Sequence, residues 1–168
     1  MFAYGSLMWQ PDFDHVAVRP ARLHGYHRAM CILSNHYRGT PRQPGLVLGL
    51  DRGGSCLGRA FRVAAAQVEA VRTRLFEREM ITGVYFPRMV PVRLDTADRV
   101  MALAFVADRH HQQYFAAGDP AAAAALIRQG VGKAGSSRDY LARTVEHLTA
   151  LGIADGVLHR LLDLVSKP

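Results

Sequence analysis

The sequence predicts an α+β fold: a small mixed β-barrel of about six strands with flanking helices. Three observations point there. Six apolar or alternating runs, at 2–5, 22–33, 45–51, 56–63, 84–94 and 99–107, crowd the first two-thirds of the chain. Turn-forming stretches such as "RGTPRQPG" and "DRGG" lie between runs, a spacing that suits a closed or partly closed barrel. Helical periodicity is confined to one stretch at 65–79 and to the tail beyond Asp119.

The first run opens "FAYGSLMW" at 2–9, where apolar residues straddle a Gly-Ser pair. A strand followed at once by a flexible turn makes the turn a candidate substrate cradle. The "LVLGL" run at 46–50 is continuous and apolar, as in a strand buried on both faces. In 84–94, Val84, Phe86, Val90, Val92 and Leu94 share one parity, which is strand alternation. Pro87 and Pro91 mark that strand as an edge or bulged one. Within 65–79, "AAQVEAVRTRLFERE", Val68, Val71, Leu75 and Glu79 fall at offsets of three, four and four, so a carboxylate extends the apolar stripe while Glu77 points away. In the tail, Asp119-Pro120 caps a helix running to Gly130, and "GVGKAGSS" reads as a flexible link. Ser136 with Asp139 forms a capping-box pattern for a helix through Leu151, closed by Gly152, and "ADGVLHRLLDLV" is a last amphipathic helix. There is no internal repeat.

A chain of 168 residues, 49% hydrophobic, fits one domain with a proper core. We expect a single domain over 1–168: a barrel with one inserted helix at 1–108, and helices at 119–165 packing on it. No apolar run is long enough to span a bilayer, and the N-terminus shows no secretory signal. The two cysteines, Cys31 and Cys56, are no disulfide framework and read as buried thiols. A cytoplasmic location follows, with no membrane partner. The net charge of +7 comes from scattered arginines, with no basic block and no nucleic-acid-binding motif. It suits a small anionic substrate better than nucleic acid.

Glu79 is the sharpest anomaly, because a carboxylate on an apolar stripe is rare unless paired or used. Two readings stand side by side. It snorkels off the helix end or pairs with an arginine such as Arg78 or Arg88, or it is a general base and acid. A helix C-terminus and apolar neighbours both raise a carboxylate pKa toward the range useful for proton transfer. The "YGSL" turn is either an ordinary strand end or a nest, in which N–H groups from Tyr4 to Leu7 converge on a carboxylate or oxyanion. Ser6 lacks the G-x-S-x-G context of a nucleophile. "HGYH" at 24–27 and "HH" at 110–111 lack metal-ligand spacing, so neither metal nor cofactor is expected. Arg38 and Arg42, in the Pro- and Gly-braced loop 34–45, either reach a substrate carboxylate or face solvent.

Six collinear segments together resemble the ChaC-like γ-glutamylcyclotransferases, which act on glutathione. They are "FAYGSLMW" (2–9), "GYHRAM" (25–30), "SNHYRGTPRQPGLVLGL" (34–50), "GGSCLGRAFRV" (53–63), "REMITGVY" (78–85) and "DYLARTVEHLTALGI" (139–153). The resemblance implies a γ-glutamylcyclotransferase-like fold with a pocket beside the first strand. It implies that Tyr4, Gly5, Ser6 and Leu7 bind the γ-glutamyl moiety, with Phe2 and Ala3 also substrate-binding, and that Glu79 of the R-E-[KM] motif is the catalytic acid/base. Arg38, Tyr85 and Tyr140 are the further substrate-binding residues it suggests. The implied reaction is lyase chemistry: the α-amine of glutathione attacks its own γ-carbonyl, closes 5-oxoproline and expels Cys-Gly. No metal, cofactor or obligate protein partner is needed. Three positions depart from the usual pattern: Ala3 stands for glycine, Leu33 for tryptophan and Phe86 for arginine. Two other readings remain open, cyclotransfer on other γ-glutamyl amino acids or amines, and a non-catalytic anion-binding barrel.

Overall fold

A computed structural model of the protein describes residues 1–116 and 118–167. Five strands form one sheet: β1 (Phe2–Ala3), β2 (Ala17–Ser34), β3 (Gly45–Arg62), β4 (Tyr85–Leu94) and β5 (Arg99–Ala107), in the order β1-β3-β2-β4-β5. β1 pairs antiparallel with β3, Phe2 opposite Ala60 and Ala3 opposite Arg59. β4 pairs antiparallel with β5 along its whole length. The fold class is therefore α+β as expected, but the strand count differs and no pairing between β1 and β5 closes the sheet among the described residues.

The count differs because the runs at 45–51 and 56–63 are one strand. Gly53 and Gly54 take φ of +104° and +66°, a conformation L side chains avoid, so the chain bends at "DRGG" without leaving the sheet. The prolines of β4 have a related explanation. β4 lies inside the strand order, not at its edge, yet its pairing with β2 covers only Val92–Leu94. Pro87 and Pro91 fall outside that stretch, where no missing N–H is felt on that side. Phe86, expected inward with Val90 and Val92, is 49% exposed instead, near the strand's start.

The chain divides into two compact units, Met1–Arg28 with Leu50–Asp108, and Ala29–Gly49 with Arg109–Pro168. In the first, every one of the five strands feeds one apolar cluster: Phe2; Ala21 and Leu23; Leu50 and Cys56; Val90 and Val92; Ala102, Ala104 and Val106. Its helix, α1 (Val68–Glu79), follows a 3-10 turn at Ala65–Gln67. Val71 and Leu75 of the expected stripe are buried, but Val68, in the helix's first turn, is 45% exposed. Phe76 packs edge-on against Phe105 of β5, ring centroids 5.8 Å apart, which fixes the last turn of α1 on the sheet.

In the second unit, α2 (Pro120–Gln129), α3 (Ser137–Ala150) and α4 (Gly156–Ser166) pack on one another. Asp119 and Ser136 accept from the backbone N–H groups of Ala121 and Asp139 as caps, as read from the sequence. The "GVGKAGSS" stretch is not a flexible link. It forms a hairpin of β6 (Val131–Gly132) and β7 (Gly135–Ser136). Its turn donates from Lys133 and Ala134 to the carbonyls of His36 and Tyr37. A side chain on Gly132 would meet the Gly39 N and His36 O at 2.6 Å, so glycine is what lets these backbones touch. Ser137, fully buried, accepts from Leu46 N–H (3.0 Å) and donates to Leu46 O (2.6 Å).

Candidate active site

The turn at the chain's start and the end of α1 come together in the first unit. After β1, Gly5 caps a 3-10 turn over Ser6–Met8, with φ −127° and ψ −140°. Met8 N–H donates to Gly5 O, and both Trp9 and Gln10 N–H donate to Ser6 O. The N–H groups at the start of such a turn have no partner within it, which is the chemistry an anionic group needs. Phe2 and Ala3 are buried, Phe2 within the apolar cluster, so their side chains anchor the strand that carries the turn.

Three arginines hold this turn by its carbonyl oxygens. Arg28, only 3% exposed, donates from Nε to Tyr4 O and from Nη2 to Leu57 O. Arg59 donates to Met8 O at 3.0 Å. Arg78, on α1, reaches Gln10 O at 3.5 Å and the Ser6 hydroxyl at 3.1 Å. None of the three was singled out from sequence as holding the turn. Arg28 lies in "GYHRAM" and Arg78 precedes Glu79 in the R-E-[KM] motif, but their contacts join residues 24 and 72 positions away, which local patterns do not encode.

Glu79 is the last residue of α1, and Glu77 points to solvent. The Glu79 side chain is 21% exposed, and its Oε1 lies 3.2 Å from Arg78 Nε. Burial pushes the Glu79 carboxyl above its ordinary value, and the Arg78 guanidinium pulls it partly back. Both sequence readings of Glu79 therefore have a physical basis: it is paired with Arg78, and its protonation is shifted upward. Tyr85 opens β4, half-buried, six residues on. Arg38 and Tyr140 belong to the second unit, where the guanidinium lies 5.4 Å from the centre of the Tyr140 ring and donates to Ala134 O. Arg42 is exposed.

A cavity of about 330 Å³ in the first unit is lined by Met1, Arg19, Phe61, Arg62, Leu94 and Met101 among others, and shares no residue with the turn or Glu79. Among the described residues, no group of three or more His, Cys, Asp or Glu is arranged to hold a metal. No helix there is long and apolar enough to cross a membrane.

The family model for ChaC-like proteins matches residues 1–168. The chain belongs to the ChaC-like family. It is 37% identical over 167 residues to the glutathione-specific γ-glutamylcyclotransferase of Escherichia coli strain K12, covering 99% of this chain and 72% of that one. The enzyme of the same description from Schizosaccharomyces pombe is 32% identical, over 89% of this chain and 83% of that one. Human glutathione-specific γ-glutamylcyclotransferase 1 is 31% identical, over 90% of this chain and 70% of its own. Among solved structures, a yeast γ-glutamyl cyclotransferase specific to glutathione superposes with a TM-score of 0.86 at 21% identity, over 98% of this chain and 93% of that one. That likeness establishes the shared fold.

Proposed function

We propose that this protein is a glutathione-specific γ-glutamylcyclotransferase, acting as one domain over 1–168, with Glu79 as its general base and acid. The observation that carries the assignment of Glu79 is the joining of a half-buried, upward-shifted carboxylate to the Ser6 turn within a ChaC-like chain. The nucleophile belongs to the substrate: the α-amine of the γ-glutamyl unit attacks its own γ-carbonyl. A C–N bond forms to close the five-membered lactam, and the amide bond to cysteine breaks. Two protons leave the attacking ammonium and two arrive on the departing nitrogen, so the balance closes on 5-oxoproline and Cys-Gly. One carboxylate placed near both nitrogens can take a proton and return it. A pKa raised by burial brings that exchange closer to neutral pH.

The turn's work is positional. N–H groups of Gly5, Ser6 and Leu7 would bind the α-carboxylate or the developing oxyanion, while Tyr4 and Tyr85 flank the γ-glutamyl chain. Folding the substrate so that amine and carbonyl meet supplies much of the acceleration in such a unimolecular closure. For Arg38 and Tyr140 the assignment as substrate contacts rests on the family resemblance. The packing of β1 against β5, and one core fed by all five strands, support a sheet curled toward a barrel. Buried thiols at Cys31 and Cys56 and a glutathione substrate support a cytoplasmic location.

The test is chemical. The purified protein with reduced glutathione should release 5-oxoproline and Cys-Gly in equal amounts by mass spectrometry, and N-acetylglutathione, whose amine is blocked, should be inert. Cleavage of N-acetylglutathione would overturn the intramolecular mechanism. Turnover of γ-glutamyl amino acids without turnover of glutathione would overturn the substrate.

A further inference from the structure

We propose that Arg78 is the positioning residue of this site, its guanidinium tying the Glu79 carboxylate to Ser6 of the turn. The inference deepens the cyclotransferase reading and rests on it. Neighbouring residues on a helix do not face each other, so an ion pair between Arg78 and Glu79 does not follow from their adjacency. It forms because the guanidinium is drawn over by partners on the turn. Nη2 donates to Ser6 Oγ at 3.1 Å, Nη1 to Gln10 O at 3.5 Å, and Nε lies 3.2 Å from Glu79 Oε1. One planar group thus engages three acceptors with three different nitrogens. A lysine, a flexible point charge, cannot reproduce that fork.

The bland alternative is a helix-end cation. Arginine in a last turn stabilises the helix dipole wherever it points. Arg74, one turn earlier, supplies the contrast. It pairs with Asp12 at 2.7 Å, both side chains half-exposed and Asp12 outside the turn. If Arg78 served only to pin α1 to the N-terminal segment, losing either arginine would have similar consequences. If it positions Glu79, only its loss alters the proton chemistry.

The experiment measures 5-oxoproline release against glutathione concentration and pH for wild type, Arg78→Met, Arg78→Lys and Arg74→Met. The acid limb of kcat/KM reports the free enzyme's base. Removing the guanidinium should move that limb upward by about one pH unit, the size expected for loss of an opposite charge at this distance. Arg78→Lys should keep the limb near its wild-type position yet lower the plateau about tenfold, and Arg74→Met should leave the limb in place. If the limb of Arg78→Met coincides with wild type, or if Arg74→Met moves it equally, the inference is overturned. Should Arg78→Met not fold, Arg78→Lys and Ser6→Ala carry the test. The bridge requires their combination to be no worse than the worse single change, and additive losses would overturn it. A wild type that makes no 5-oxoproline would instead overturn the reading of the site as a whole. An active wild type whose acid limb ignores Arg78 would overturn only the role of Arg78.

Discussion

Gly58→Ala should damage activity from within the sheet. Gly58 sits on β3 beside the two pairs that hold β1, Phe2 opposite Ala60 and Ala3 opposite Arg59. A Cβ there would lie 2.8 Å from Phe2 Cζ and 3.0 Å from Cε2, and closer still to the Ala3 carbonyl oxygen. Ordinary carbon contacts need about 3.5 Å, so β1 must retreat by roughly 1 Å. Two responses compete. Expelling Phe2 from the core would sacrifice about 3–5 kcal/mol, as loss of a buried aromatic does. Shifting β1 with the core intact costs about 1–3 kcal/mol, typical of overpacking. The shift wins, so the variant folds with β1 displaced. The turn at Tyr4–Leu7 follows directly on that strand, and a misplacement of that size lowers kcat/KM about 10²-fold. Urea unfolding followed by circular dichroism and steady-state 5-oxoproline release would measure both effects. A Gly58→Ala protein with unaltered stability and kcat/KM within twofold of wild type would refute the claim that β1 places the turn.

Two further outcomes rest on Glu79 and Ser137. Because Glu79 holds its proton more tightly folded than unfolded, its contribution to stability is complete below the unfolded value of 4.5 and fades as pH rises through the folded value. Glu79→Gln should therefore flatten that part of the pH–stability curve, and unfolding midpoints measured from pH 4 upward would show it; an unchanged slope would contradict the burial of this carboxylate. Ser137→Ala leaves the Leu46 N–H and C=O without their buried partner, and urea unfolding should show a loss of about 1–3 kcal/mol.

Local chemistry made much of this fold readable, and its limits are local too. The three-four-four spacing that put Val71, Leu75 and Glu79 on one face of α1 held where the helix is packed. It failed at Val68, where the chain is still leaving a 3-10 turn. The caps at Asp119 and Ser136 are decided within three residues, and both were legible. "DRGG" carries the glycine signal of a turn, and both glycines do adopt positive φ. Only the pairing partners, far away in sequence, decide that the strand continues. "GVGKAGSS" likewise reads as a link until the His36 and Tyr37 carbonyls receive its N–H groups. The grip of Arg28, Arg59 and Arg78 on the first turn is of the same kind, since each joins residues more than twenty apart. Glu79 stood out because its neighbours on the helix are apolar. Arg78 was one of two candidate partners in the sequence, and only the turn it also binds decides between them.

Glu79 as the acid–base group is tested by comparing wild type and Glu79→Gln on reduced glutathione, with 5-oxoproline quantified at saturating substrate. Glutamine keeps the size of the side chain and removes its ability to take a proton. Wild type should turn glutathione over and the variant should lose about 10²–10⁴-fold, the range attributed to one positioned acid–base group, with circular dichroism unchanged. A folded Glu79→Gln protein that turns over glutathione at the wild-type rate would contradict an acid–base role for Glu79.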